Sequence, residues 1–223
     1  MIDVLIGRSP DDLRYLDFKF QHQSESHGRL SSSIGDITSS PELISALTIA
    51  TVHARPPHSH PVDPSVVVED VQEISRLLHV GCSALRPLHE QLFDILLRRN
   101  DHHIAQINLF FRMKEGNELD EIIRKSSAFS KTTRKVAIHA IRTATNLVDR
   151  DVKMLQEALG GEKLISRGNS ELLGIRICRM HWYKQHWLRV KACYKAKTNN
   201  ELGNVVKSKS GLFKDLMVAL VSD

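Results

Sequence analysis

Apolar residues recur along this chain at a spacing of three and then four positions. Trp187, Val190 and Tyr194 have this spacing, which places their side chains on one face of a helix. Two more triplets share it, namely Leu13, Leu16 and Phe20, and Ile104, Ile107 and Phe111. An arginine ends the apolar run before each triplet, and a leucine with an aliphatic residue four positions later follows each one. The pattern predicts three copies of one helical unit.

The same pattern indicates two complete copies and one partial copy. Five helical segments with apolar stripes fill the second copy, residues 66–145, and the third copy repeats their order over 149–223. The first copy, residues 1–53, has only seven residues before its Arg8 and therefore lacks its leading helices. Four of the seven prolines fall within residues 54–65, which predicts an irregular linker. No segment alternates with period two, so the predicted fold class is all-α.

The incomplete first copy predicts an unstable N-terminal region. Leu5, Leu13, Leu16 and Ile44 would have fewer apolar neighbours than the matching residues of the other copies. Exposed apolar patches promote association between chains. We therefore expect this region to self-associate and to be the first part of the chain that proteases remove.

Composition and charge indicate the class of partner. The 223 residues are 41% hydrophobic and 26% charged, and no apolar run is long enough to span a bilayer. The first residues lack the pattern of a signal peptide, and three cysteines, an odd number, predict reduced thiols, so we expect a cytoplasmic protein. A net charge of +5 and a pI near 9.2 favour acidic partners, either nucleic acid or an anionic membrane surface.

Several residues of the third copy resemble the annexin repeat. They are Asp151, the run Arg179-Met180-His181-Trp182, Tyr194, and Ser210-Gly211 before the last apolar run. The second copy matches in the same order, and the first matches over its second half. The resemblance implies an annexin-like array of five-helix repeats, two complete and one partial, without repeat one and the first half of repeat two. It also implies peripheral binding to anionic phospholipid, which annexins achieve through calcium held by a Gly-x-Gly-Thr loop and a carboxylate.

The residues that would bind calcium in an annexin are replaced in this chain. No copy contains Gly-x-Gly-Thr, so Gly81, Gly161 and Gly168 remain as weak carbonyl candidates for a metal. Where the resemblance places the carboxylate, the second copy has Lys125-Ser126-Ser127 and the third has Ser208-Lys209. A calcium ion needs six to eight oxygen ligands. We therefore expect calcium binding to be weak or absent.

Lysines take the place of the missing carboxylates. The resemblance puts four of them at or beside the loops that would face a membrane: Lys125, Lys131, Lys209 and Lys214. A lysine near an anionic surface contributes on the order of 1 kcal/mol, so these four would hold the protein on such a surface in a salt-sensitive way. A solvated helix face is the interpretation for the other basic residues of the third copy, namely Arg189, Lys191, Lys195 and Lys197.

Two further functions stay open at this point. The basic third copy is compatible with a helical nucleic-acid-binding protein, although no recognition helix and no platform of aromatic and basic residues stands out. A helical interaction scaffold without lipid binding is the second alternative. The sequence contains neither a P-loop nor a Gly-x-Ser-x-Gly motif, and its histidines are scattered, so we expect neither an enzyme nor a small-molecule substrate.

Overall fold

All regular structure in the described part of the chain is helical. The computed structural model describes residues 2–23, 28–52, 56, 60–79, 87–159, 167–208 and 214–222. These ranges hold fourteen α-helices and no β-strand, which confirms the predicted all-α class. No helix in these ranges is long and apolar enough to cross a membrane. The chain divides into two compact units, Met1–Thr145 (unit 1) and Asn146–Asp223 (unit 2).

Unit 1 has nine helices within its described residues. In chain order they are α1 (Ile2–Leu5), α2 (Pro10–Gln23), α3 (Ile34–Ile37), α4 (Pro41–Val52), α5 (Pro64–His79), α6 (Leu88–Arg98), α7 (Asp101–Glu115), α8 (Leu119–Lys125) and α9 (Lys131–Thr145). The predicted linker, residues 54–65, lies partly outside the described residues, and α5 begins at its end with Pro64. The boundaries of the three copies remain predictions.

Unit 2 has five helices within its described residues. They are α10 (Leu147–Leu159), α11 (Arg167–His181), α12 (Lys184–Thr198), α13 (Leu202–Lys207) and α14 (Lys214–Ser222). Helices α11 and α12 both pack against α10, and α14 packs against α11 and α13. Each helix of this unit therefore has at least one neighbour to cover its apolar stripe.

Local hydrogen bonds explain where several helices begin and end. The Ser9 Oγ accepts a hydrogen bond of 3.1 Å from the backbone N–H of Asp12 at the start of α2. The Asn100 Oδ1 accepts one of 2.8 Å from the backbone N–H of His103 at the start of α7. Gly116 ends α7 with a φ of 70°, a left-handed conformation that glycine adopts without steric cost. These boundaries follow from the local sequence, because polar N-caps and C-terminal glycines satisfy unpaired backbone groups.

One continuous core fills unit 1. The triplet Ile104, Ile107 and Phe111 of α7 is buried, as its spacing predicts. Leu5 of α1 and Leu47 of α4 belong to the same core, because these first-copy helices pack against α9, and α4 also against α6. Leu5 is only 2% exposed, so its side chain is well covered, whereas Leu16 and Ile44 are only partly buried. Helices α6 and α9 therefore cover the apolar faces of these first helices. The instability and self-association expected for this region stay predictions.

The matching triplet of α2 is buried less evenly. Leu13 is buried, whereas Leu16 and Phe20 are only partly buried. Helix α7 packs against α5, α8 and α9. Within the described residues, α2 does not pack as closely against any other helix. The spacing thus predicts which residues face the core, and the available neighbours determine how deeply they are buried.

The core of unit 2 is built around the third triplet. Trp187, Val190 and Tyr194 of α12 are all buried. Leu155 of α10 and Ile177 of α11 belong to the same apolar cluster. All three triplets therefore point into a core, as the repeated spacing predicts.

Side chains from α11 and α12 satisfy the last carbonyl groups of α14. The Leu220 carbonyl oxygen lies 3.1 Å from the His181 Nδ1 and 3.3 Å from the Trp187 Nε1. The Lys191 Nζ donates to the Val221 carbonyl at 3.2 Å and lies 5.7 Å from the centre of the Trp187 ring. The final carbonyls of a helix have no partner within the helix, so these bonds hold the last turn in place.

Candidate functional site

The connection between α8 and α9 carries two of the four predicted lysines. Residues 126–130 form this connection, which we call the 126–130 loop. Lys125 ends α8 and Lys131 begins α9. Both lysine side chains are exposed, and neither forms an ion pair with any residue that the structure describes. An anionic ligand can therefore approach both ammonium groups from solvent.

The start of α9 is electrically positive. Its first turn contains Lys131 and Arg134 and no acidic residue. The unpaired backbone N–H groups of a helix N-terminus add a partial positive charge of their own. Cations at this end make a helix less stable, and acidic residues are the favourable choice there. The arrangement favours a bound anion and opposes a bound cation.

Arg134 binds the backbone of the 126–130 loop. Its Nη1 donates to the carbonyl oxygens of Arg124 and Ser126, at 3.2 Å in both cases. These two residues flank or belong to the segment Lys125-Ser126-Ser127, where the family resemblance would place a calcium-binding carboxylate. A guanidinium group is always charged, so a fixed positive charge lies against the carbonyl oxygens of this loop. Sequence analysis does not identify this role of Arg134.

A cavity of about 380 Å³ adjoins the 126–130 loop. The ends of α5, α7 and α8 enclose it together with the beginning of the loop. Leu78, Phe111 and Ile122 give it an apolar lining, and Lys125 and Glu115 contribute charged groups. The structure therefore places a predicted lysine beside a space large enough for a small polar ligand.

Of the remaining predicted site residues outside this loop, the structure describes Lys214 and Gly168. Lys214 begins α14 in unit 2 and is partly buried, and Lys209 lies outside the described residues. Gly81 and Gly161 also lie outside them, whereas Gly168 is in the first turn of α11. A helical carbonyl points along the helix axis toward a later N–H, so Gly168 is not the loop residue that its glycine suggests. Within the described residues, no group of three or more His, Cys, Asp or Glu side chains could hold a metal ion.

Unit 1 contains a buried ionic cluster on the carboxylate of Asp70 in α5. The Arg99 Nε donates to the Asp70 Oδ2 at 2.8 Å, and the Arg99 Nη2 lies 3.2 Å from the Oδ1. The His103 Nε2 donates to the Oδ2 at 2.8 Å, since a carboxylate can only accept. Burial lowers the pKa of His103 and outweighs the opposite effect of the nearby Asp70 carboxylate. The buried imidazole is therefore kept neutral.

Unit 2 contains an equivalent cluster on Asp151 of α10. The Arg150 Nη2 and the Arg179 Nη2 donate to the Asp151 Oδ1 at 2.6 and 3.1 Å, and the His186 Nε2 donates to the Oδ2 at 2.8 Å. Burial alone raises the pKa of the Asp151 carboxyl. The hydrogen bond from His186 and the charges of Arg150 and Arg179 outweigh burial, so this pKa lies below its ordinary value.

Sequence analysis notes the arginine before each triplet and names Asp151, but it does not predict that these arginines bind Asp70 and Asp151. Asp70 and Arg99 are 29 residues apart, and Asp151 and Arg179 are 28 apart. The sequence does contain one sign of such a cluster, which is an acidic residue within an apolar stripe of a helix. Asp70 lies three positions after Val67 and therefore on the buried side of α5. An aspartate in that position needs a buried counter-charge.

The basic residues of α12 have partners within unit 2. Lys195 forms an ion pair of 2.8 Å with Glu201, and Lys197 pairs with Asp149. These two lysines lie on an exposed part of the helix, as the sequence interpretation expects. Their acidic partners leave less positive charge available here than at Lys125 and Lys131.

Comparison with known proteins identifies the fold. No family model and no curated protein matches the sequence. A mutant of annexin A8 with an intact N-terminus aligns with a TM-score of 0.82 at 17% identity, over 100% of this chain and 65% of that one. Chicken annexin V in complex with Zn²⁺ aligns with a TM-score of 0.73 at 14% identity, over 99% and 65%. Calcium-bound annexin (Sm)1 aligns with a TM-score of 0.72 at 14% identity, over 100% and 63%.

The chain therefore spans less than two thirds of the length of these three structures. The identities are low, and the alignments nevertheless extend over almost every residue of this chain. Together with the helical units described above, these comparisons show that the chain has the annexin fold.

Proposed function

We propose that this protein binds anionic phospholipid membranes peripherally, through lysines beside the 126–130 loop and without a requirement for calcium. The observation that carries the proposal is the contact of Arg134 with the loop carbonyls of Arg124 and Ser126. A fixed positive charge therefore already lies beside the position where the family resemblance would place a calcium-binding carboxylate. Lys125 and Lys131 then present unpaired positive charge on either side of the loop.

Calcium binding is a property of annexin (Sm)1, one of the structures with the same fold. In this chain a calcium ion at the 126–130 loop would meet repulsion from Arg134, Lys125 and the positive end of α9. A lipid phosphate would meet attraction from the same groups. Lys209 and Lys214 extend the proposal to unit 2 on the strength of the family resemblance alone.

The test is the binding of phosphatidylserine vesicles in EGTA at low salt and at several hundred millimolar salt. We expect binding at low salt that falls as salt is raised, because screening weakens attraction between exposed charges. Lys125→Glu with Lys131→Glu should weaken low-salt binding by at least about 30-fold, since each lysine contributes on the order of 1 kcal/mol. Lys19→Glu with Lys184→Glu makes the same change in net charge elsewhere and should have a much smaller effect.

Two outcomes would contradict the proposal. Release of the protein by EGTA at low salt, with recovery in micromolar calcium, would show that calcium is required after all. Absence of vesicle binding at low salt, with and without calcium, would favour a helical interaction scaffold.

A further inference from the structure

Helix α2 exposes a stripe of side chains on the face opposite the core. The stripe consists of Asp11, Tyr15, Phe18 and His22, which are four, three and four residues apart and are all exposed. This spacing places them on one side of the helix, whereas Leu13 points to the opposite side and is buried. Tyr15 is 61% exposed and Phe18 is 54% exposed. Two aromatic rings on adjacent turns therefore face solvent together, and we call this surface the α2 stripe.

Contacts along α2 hold both rings against the surface of the helix. The Lys19 Nζ lies 5.5 Å from the centre of the Tyr15 ring, and the centres of the Phe18 and His22 rings are 4.1 Å apart. The His22 Nδ1 lies 2.8 Å from the Phe18 carbonyl oxygen, which fixes the imidazole beside the Phe18 ring. Side chains that are already held in place lose little conformational entropy when a partner binds.

The α2 stripe is complementary to itself. Two helices that pack antiparallel about a two-fold axis present the same surface to each other, with its residues in reverse order. Tyr15 of one copy then lies opposite Phe18 of the second copy, and Asp11 lies opposite His22. Each aromatic ring meets an aromatic ring, and each carboxylate meets an imidazole instead of a second carboxylate. Aromatic rings attract each other in offset and edge-on contacts, beyond the effect of burial.

The charges beside the stripe fit the same arrangement. Asp12 and Lys19 are exposed on one flank of the stripe, and neither forms an ion pair with any residue that the structure describes. Two-fold symmetry brings the same flank of both helices together, so Asp12 of each copy lies near Lys19 of the other. On the other flank, Arg14 forms an ion pair with Asp11 of its own helix. The unpaired charges of one copy therefore find opposite charges on the second copy.

Helix α7 has a stripe of the same spacing that lacks this complementarity. It consists of His102, Gln106, Leu109 and Met113, which are all exposed. In reverse order, Gln106 lies opposite Leu109 and His102 lies opposite Met113, so polar groups meet apolar ones. An amide against an apolar side chain loses water without gaining a hydrogen bond. The exposed apolar residues of α7 therefore provide a matched control for those of α2.

We propose that α2 is an interface between two copies of this chain. The two helices pair antiparallel, with Tyr15 against Phe18 of the second copy and Asp12 against Lys19. A single helix pair buries less area than a stable interface, which needs about 1,200 Å² or more, so the dimer is weak and forms as concentration rises. This surface goes beyond the membrane binding proposed above, and it gives a specific basis for the self-association expected of the N-terminal region.

Analytical ultracentrifugation of the full chain tests the pairing. The average mass should be 25.3 kDa at low micromolar concentration and should approach twice that value at several hundred micromolar. Tyr15→Ala with Phe18→Ala should weaken pairing by at least about 10-fold, because aromatic anchors carry much of the affinity of an interface. Leu109→Ala with Met113→Ala removes the same number of exposed apolar side chains from α7 and should leave pairing unchanged. Circular dichroism should show unchanged helicity in both variants, because all four side chains are exposed.

Exchange of the flanking charges tests the antiparallel orientation. Asp12→Lys alone and Lys19→Asp alone each bring like charges together in both halves of the symmetric interface, so each should weaken pairing by at least about 5-fold. The two changes combined place opposite charges across the axis again and should recover most of the affinity. A parallel pair would bring Asp12 near Asp12 and Lys19 near Lys19, so neither single change would weaken it.

Several results would overturn the inference. They are a mass of 25.3 kDa at every concentration, pairing that survives the loss of Tyr15 and Phe18, and single charge changes that do not weaken pairing. A mass that grows beyond that of a dimer would also overturn it, because open-ended assembly needs a heterologous surface. Vesicle binding at nanomolar protein, where free copies are monomeric, tests the proposed function separately.

Discussion

Each of the two units buries one carboxylate in an ionic cluster, and the clusters differ in which partner is most buried. In unit 1 the His103 side chain is 6% exposed and that of Arg99 is 42% exposed. In unit 2 the Arg150 side chain is 10% exposed and that of His186 is 19% exposed. An imidazole can lose its charge near neutral pH, whereas a guanidinium keeps it. The most buried partner named here can therefore lose its charge in unit 1 and keeps it in unit 2, although each cluster contains both kinds of group.

This difference determines the pH range in which each unit loses stability. The pKa of His103 is below 6.5 in the folded protein, so the unfolded chain takes up this proton first as pH falls. Unit 1 should therefore lose stability as pH falls through 6.5. The pKa of Asp151 is below 3.8, so its contribution is present above that pH and is lost as pH falls further. Mild acid should therefore lower the stability of unit 1 before it lowers the stability of unit 2.

Removal of a buried carboxylate should lower the free energy of unfolding more than any other change considered. We expect the loss to be larger in unit 2 than in unit 1. Asp151→Asn removes the buried carboxylate that accepts from both Arg150 and Arg179, which should cost about 3–5 kcal/mol. Asp70→Asn should cost about 1–3 kcal/mol, because Arg99 can turn to solvent and only His103 loses a buried acceptor. Urea unfolding monitored by hydrogen exchange of α5 and α10 measures both. Asp36→Asn, an exposed control, should change stability by less than about 0.5 kcal/mol.

Lowering the pH through 6.5 should destabilise unit 1 and leave unit 2 unchanged. We expect this loss of stability to be smaller than the loss caused by removing a buried carboxylate. Hydrogen exchange in α5 and α7 should become faster as pH is lowered through 6.5, after correction for the intrinsic rate, while α10 and α12 stay protected. His103→Gln keeps a donor for Asp70 but does not titrate, and it should remove the response. If both units lost protection from hydrogen exchange at the same pH, the predicted difference in acid stability between them would be wrong.

Replacement of Arg99 should have the smallest effect. Its side chain is 42% exposed, so Arg99→Gln should cost at most about 1 kcal/mol at neutral pH. The charge of Arg99 also helps to lower the pKa of His103, so this variant should show a weaker response to mild acid than the unaltered protein. Urea unfolding at neutral pH and hydrogen exchange of α7 in mild acid measure the two effects. A loss as large as that of Asp70→Asn would show that Arg99 contributes much more than its exposure suggests.

Local sequence predicts most of the helical framework because short-range interactions determine it. Ser9 and Gly116 limit α2 and α7 through hydrogen bonds and backbone conformation within a few residues. The apolar triplets follow from helical periodicity, and even Phe20, which is only partly buried, faces the core. Gly168 shows the limit of such reasoning. A glycine favours a loop when considered alone, but the surrounding residues continue the helix.

The candidate site is harder to predict from the sequence than the helices are, because it depends on contacts between different helices and loops. Lys125 and Lys131 can be placed by their resemblance to an annexin loop. The contact of Arg134 with the Ser126 carbonyl requires the side chain to fold back across eight residues, which no periodicity reveals. The position of Glu115 beside Lys125 arises where α7 and α8 converge at one cavity. These relationships come from tertiary packing, which sequence spacing does not encode directly.

The contact between Arg134 and the 126–130 loop has a kinetic consequence. A loop that an internal cation already holds loses little conformational entropy when a ligand arrives. Under the membrane-binding proposal, the loop does not have to bind a calcium ion before it can bind lipid. Under the membrane-binding proposal, association is then governed by electrostatic encounter with the lipid surface and slows as salt is raised. The protein would respond to changes in the charge of the membrane itself, on the timescale of diffusion, and would not follow calcium transients.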